Sequence, residues 1–177
     1  MSKGNMYTWV DDNFNLVKGP CSHNCTYCYM KKFPDLGKLR LDEKLFRKNP
    51  QPRKTYFVCS GTDLFQSAVQ NGWIDRVIRK LNSHPGCTFL LQTKNPYRLI
   101  EFVNEIETHV ILCSTVESDI RYSEVSKAIE PGLRITSMGV IKKYYNYTTM
   151  ITIEPIMKFS NLFIHILAEA RPDIINI

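Results

Sequence analysis

Short apolar runs alternate along the chain with stretches whose apolar residues recur at helical spacing. The runs Phe14–Val17, Thr55–Cys59, Thr88–Gln92, Val110–Thr115, Met150–Ile153 and Ile174–Ile177 are rich in β-branched and aromatic residues. Each is short and nearly continuous in hydrophobicity, as a parallel strand covered on both faces should be. Between them the period changes. Trp73, Ile74, Val77, Ile78 and Leu81 form one helical stripe, and Leu99, Phe102, Val103 and Ile106 a second. The second is opened by Asn95 as a cap and Pro96 at the first helical position. Leu162, Phe163, Ile166, Leu167 and Ala170 form a third, with Ser160 near its start and Pro172 beyond its end. Ser118 is expected to cap a helix reaching Ile129, with Pro131–Gly132 breaking it and a further helical piece over 137–145.

Six strand–helix alternations predict an α/β fold with a parallel sheet. At about 30 residues per unit, the 177-residue chain holds six units, read as one domain over 1–177. In such sheets ligands bind past the carboxyl ends of the strands, and those ends are polar here. They carry Gly19-Pro20-Cys21, then Ser60, Thr62 and Asp63, then Gln92, Thr93 and Lys94, then Ser114, Thr115 and Glu117, and last Thr152 and Glu154. Singly, each fits helix capping. Together, beside one cysteine loop, they fit a site.

Composition narrows the classes. Hydrophobic residues make up 44% of the chain, enough for a sizeable core. No run approaches the roughly 18 apolar residues that a membrane span needs, and the N-terminal segment has no apolar core of a secretory leader. A reducing cytoplasm is therefore expected, in which six cysteines are free, metal-bound or catalytic rather than paired. The formal charge of +6 is concentrated in residues 31–54, where nine basic side chains face three acidic ones. Such a segment fits either nucleic-acid phosphates or a solvated helix and loop. The helix after the cysteine loop is expected to carry Arg47, Lys48, Arg53 and Lys54 away from the strand-end face.

Cys21, Cys25 and Cys28 form a CxxxCxxC loop. Iron–sulfur clusters are held by thiolates, usually four; three from one loop leave one iron open to a non-protein ligand. Structural zinc wants a closed tetrahedral set, and no second cysteine pair exists, since Cys59, Cys87 and Cys113 stand singly in or beside strands. His23 is the remaining candidate zinc ligand, and Cys25 with Cys28 a candidate redox dithiol.

The motif, with Tyr27 before its last cysteine and its place after the first strand of a repeated β/α chain, resembles the radical S-adenosylmethionine superfamily. "VKGPCSHNCTYCYMKK", "CSGTDLF", "LLQTKNPYRL" and "ITIEPIM" look like a phage-associated branch of it. The resemblance implies a partial (β/α)6 TIM-like barrel in which Cys21, Cys25 and Cys28 hold a 4Fe–4S cluster. S-adenosyl-L-methionine would chelate the fourth iron. One electron from an external donor would then yield a 5′-deoxyadenosyl radical that takes hydrogen from a substrate the sequence does not name.

By the same resemblance Tyr27 would pack beside the cluster and meet the adenine. Ser60, Thr62 and Asp63 occupy the place of the family's Gly-Gly-Glu motif, which binds the amino group. Ser114 and Glu117 would take the ribose or carboxylate, Lys94 the carboxylate, and Glu154 cofactor or substrate; the family's glycine-rich strand-five motif is absent. The alternatives are a zinc-bearing nucleic-acid-binding module and a shortened, non-catalytic relative. The sixth strand, ending in "RPDIINI", is expected to leave an open edge for a partner chain or a further segment.

Overall fold

A computed structural model describes residues 6–33, 35–107 and 109–177. Its main sheet has six strands: β1 (Asp12–Phe14), β4 (Thr55–Val58), β5 (Thr88–Thr93), β6 (Val110–Thr115), β7 (Thr148–Thr152) and β8 (Ile174–Asn176). They lie side by side in chain order, every neighbouring pair parallel. β2 (Val17–Lys18) and β3 (Arg40–Leu41) form a separate antiparallel ladder. The helices are α1 (Glu43–Phe46), α2 (Asn71–Asn82), α3 (Pro96–Leu99), α4 (Pro131–Tyr144) and α5 (Phe163–Ala170). Five of the six strands expected from the hydrophobic runs are present with ends shifted by at most two residues, and the first is displaced. The outer edge of β8 has no strand partner among the described residues.

Strand alternation divides the core in two. Val58, Phe89, Leu91, Val110, Leu112 and Ile151 face the helices and pack with Ile74, Val77, Ile78 and Leu81 of α2 and with Ile135, Met138 and Ile141 of α4. The opposite face carries Phe57, Leu90, Ile111, Cys113 and Met150, closed by Tyr7 and Val10 from the chain's beginning. Further along this inner face the residues turn polar. Gln92 follows Leu90 and Thr115 follows Cys113 at the carboxyl ends of their strands, so the inside of the open barrel is apolar below and polar above.

Four local expectations are corrected. The first strand of the sheet is Asp12–Phe14 rather than 14–17, because Val17 and Lys18 leave the sheet to pair with Leu41 and Arg40. The helix expected over 118–129 is an irregular segment. Its backbone serves tertiary contacts instead: Thr26 N–H donates to Val125 O and Lys127 N–H to His23 O, at 2.8 and 2.7 Å. Pro131 begins α4 rather than breaking a helix; at that position its missing N–H would have had no helical acceptor anyway. The stripe from Leu99 to Ile106 is α-helical only through Leu99 and continues as a 3-10 turn over Ile100–Glu105.

Candidate functional site

The cysteine loop is anchored before its first thiol. Gly19 follows β2 with φ +123°, and a Cβ there would lie 2.6 Å from the Leu39 Cα, so only glycine lets the two backbones approach so closely. The Thr62 hydroxyl donates to Gly19 O at 2.5 Å. Gln66, fully buried, accepts from Ser22 N–H and donates to Pro20 O, at 2.5 and 3.2 Å. The loop is thus tied to the turn after β4, which starts at Cys59 in the left-handed region, φ 54°. Burial pushes the Cys59 thiol up to about 12, which keeps it an apolar filler.

A cavity of about 690 Å³ opens where the strands end, within the size range of small-molecule sites. Cys21, Cys25 and Cys28 all line it, with Tyr27, Ser60, Thr62, Asp63, Lys94 and Glu154. The thiols are unpaired. Cys25 Sγ lies 3.1 Å from the Ser126 hydroxyl of the irregular segment. Burial and, next, the charge of Asp63 push the Cys21 thiol up to about 12, so a thiolate there calls for a cationic partner.

Asp63 has a side chain only 9% exposed and is fully engaged. It accepts from Thr93 Oγ1, Lys94 N–H and Phe65 N–H at 2.8, 2.7 and 2.9 Å, and its Oδ2 lies 2.9 Å from His23 Nε2. Burial alone would raise its pKa; the His23 contact and the other donors reverse this and hold it below the usual carboxylate range. Asp63 therefore joins the cysteine loop to β5. The His23 nitrogen it engages is not free as a fourth zinc ligand. Among the described residues, no group of three His, Cys, Asp or Glu side chains is arranged to hold a single metal ion.

Glu117 is buried behind the cavity wall rather than on it. Its two oxygens lie 2.6 Å from Lys94 Nζ and 2.6 Å from the Arg134 guanidinium, and Tyr27 donates its hydroxyl to the same carboxylate. Burial works against ionisation here, but Lys94, Arg134 and Tyr27 outweigh it and bring the pKa from 4.5 down to about 2. The Tyr27 phenol, raised by burial and by Glu117, stays protonated. Ser114 is buried and donates to Thr93 O at 3.1 Å without lining the cavity. Glu154 is exposed at the mouth. All the polar candidates except Ser114 thus lie on the cavity wall or, for Glu117, directly against its Tyr27 and Lys94.

Sequence reasoning missed Arg134, Gln66 and Ser126. Arg134 left a usable signal: a cation within the apolar stripe of Ile135, Met138 and Ile141 must meet a buried anion. Gln66 and Ser126 sit in irregular backbone and left none.

The family model described as "Protein of unknown function (DUF5131)" matches residues 5–139. The chain belongs to this family. No curated protein matches it. Among solved structures, a cysteine-to-alanine mutant of spore photoproduct lyase with dinucleoside spore photoproduct is similar in fold. Its TM-score is 0.66 at 11% identity, over 88% of this chain and 51% of that one. A double mutant of that lyase, with bound AdoMet and dinucleoside spore photoproduct, gives a TM-score of 0.62 at 12% identity, over 84% and 46% of the two chains. The chain spans about half the length of these structures, and at such identities the likeness is one of fold. No helix among the described residues is long and apolar enough to cross a membrane.

Proposed function

We propose that the chain is an iron–sulfur enzyme that reductively cleaves S-adenosyl-L-methionine, with Cys21, Cys25 and Cys28 as the cluster ligands. The observation that carries this reading is three thiols from one loop on the wall of a cavity that also presents the Lys94 ammonium. The donor set fits a cluster with one iron open to a non-protein ligand. When bound, the cluster supplies the electron that splits the cofactor into methionine and a 5′-deoxyadenosyl radical.

The remaining work falls to side chains of this chain. Lys94 offers its ammonium to the methionyl carboxylate, and Glu117 with Arg134 holds that ammonium in place. Tyr27, 5.3 Å from Lys94 Nζ at its ring centroid, walls the cofactor off from the irregular segment. Ser60 and Thr62 present polar groups of the turn after β4, and Glu154 faces cofactor or substrate from across the mouth. The apolar inner face formed by Phe57, Leu90 and Met150 excludes water below, as radical chemistry requires. An external electron donor completes the system. A lyase of the same fold has been solved with bound AdoMet, which supports the reading.

The test is anaerobic purification, iron and sulfide analysis, and measurement of 5′-deoxyadenosine after addition of dithionite. Iron-bearing protein that forms 5′-deoxyadenosine is the expected result. Colourless protein carrying zinc in its place overturns the proposal.

A further inference from the structure

The basic stretch 31–54 is divided by the fold. Its later half lies at the amino-terminal ends of the strands: Lys54 O accepts from Thr88 N–H, and Arg53 N–H donates to Gly86 O. Its earlier half lies at the cavity. Tyr29, Met30, Lys31 and Leu36 line the opening, and the Tyr29 hydroxyl donates to Ser60 O at 3.2 Å. Tyr29 and Phe33 are 52% and 54% exposed, a costly placement for two aromatic rings that no ring contact among the described residues explains.

The same stretch carries Lys31, Lys32, Lys38 and Arg40 against the single acid Asp35. None of the four cations has a carboxylate partner among the described residues; Lys31 and Arg40 donate only to backbone carbonyls. Unneutralised cations interleaved with open aromatic faces are the physical footprint of single-stranded nucleic acid, cations tracking phosphates and rings stacking on bases. An acidic protein would use the cations but leave the rings without partners.

We propose that residues 29–33 and 35–40 form a landing surface for single-stranded nucleic acid at the mouth of the cavity. A nucleotide of that strand is then the substrate class of the site. The substrate part rests on the radical reading above; the binding part does not.

The experiment measures fluorescence anisotropy of labelled single-stranded DNA and RNA oligonucleotides with the whole protein across a salt series. 5′-Deoxyadenosine formation without oligonucleotide is followed in parallel. Binding that weakens with salt is expected. K32E/K38E should weaken it by about ten-fold or more and flatten the salt slope, and F33S by at least about five-fold. R53E/K54E, at the amino-terminal ends of the strands, should leave it unchanged. Preference between the DNA and RNA arms identifies the strand, and either supports the proposal. Absence of binding, equal binding by F33S, or equal displacement by polyphosphate of matched charge overturns it. Failure of 5′-deoxyadenosine formation with oligonucleotide binding intact strikes the radical reading alone.

Discussion

The Lys94 ammonium lies 2.6 Å from Glu117 Oε1, with both side chains largely out of water. Neither residue belongs to the cysteine loop, yet the pair determines where a cation stands on the cavity wall. The other Glu117 oxygen is held by Arg134. Glu117→Gln would leave two cations facing one neutral amide. Removing one partner of a buried pair costs about 3–5 kcal/mol, and urea unfolding should show a loss of that size. Glu154→Gln and Glu101→Gln, at exposed carboxylates, should stay within about 0.5 kcal/mol of the parent. Of these two, only Glu154→Gln should lower 5′-deoxyadenosine yield. Equal stability of all three variants would show that Glu117 does not organise the wall.

The same carboxylate gives the fold an acid-sensitive element. Its pKa is 4.5 ordinarily and about 2 in the folded chain. A depressed pKa means that the stabilisation is complete above about 4.5 and is lost as pH falls toward about 2. The shift corresponds to about 3 kcal/mol. The difference in unfolding free energy between the parent and Glu117→Gln should therefore be constant from neutral pH to about 5 and shrink below it. A difference independent of pH throughout would remove the assigned ionisation.

The strands were legible because buried parallel strands leave uninterrupted apolar runs, and Thr55–Val58 through Ile174–Asn176 each lie on or within two residues of such a run. The cysteine loop and the polar strand ends were legible for a related reason, since both follow from where strands stop. The segment 118–130 was not. Its polar, helix-compatible composition says nothing of the backbone bonds that Val125 and Lys127 make with Thr26 and His23 across the fold. Long-range partners of this kind override local propensity. Glu117 shows the same limit: its place after β6 was readable, whereas its burial against Arg134 depends on a helix whose start was misplaced.

Cys25 and Cys87 are both buried thiols, but they stand at opposite ends of the sheet. Cys87 precedes β5 and its Sγ contacts Gln51 O at 3.3 Å, far from the cavity lining. Cys25→Ala should abolish stoichiometric iron binding, and Cys87→Ala should retain it, as read by iron analysis and visible absorption of anaerobic protein. Iron retained in Cys25→Ala would remove this residue from the ligand set.

The approach of Gly19 to Leu39 sets up the last contrast. At Gly19 an added Cβ meets only backbone, with Leu39 Cα, Leu39 N and Lys38 O at 2.6, 2.8 and 2.9 Å, and φ is +123°. Neither the contact nor the dihedral can relax by turning a side chain. Gly19→Ala should therefore cost about 2–5 kcal/mol, backbone strain and overpacking together. The damage should be local first: separation of β2 from β3 loosens the bond from Thr62 to Gly19 O and frees the cysteine loop. Gly72 lies in α2, where an added Cβ would meet nothing within 4 Å. Gly72→Ala should instead stabilise by about 0.4–1 kcal/mol, through reduced freedom of the unfolded chain. Urea unfolding of both variants reads the two signs, and limited proteolysis should cut Gly19→Ala within 19–33 before any other segment. If Gly19→Ala is as stable as Gly72→Ala, the close backbone approach is not what anchors the loop.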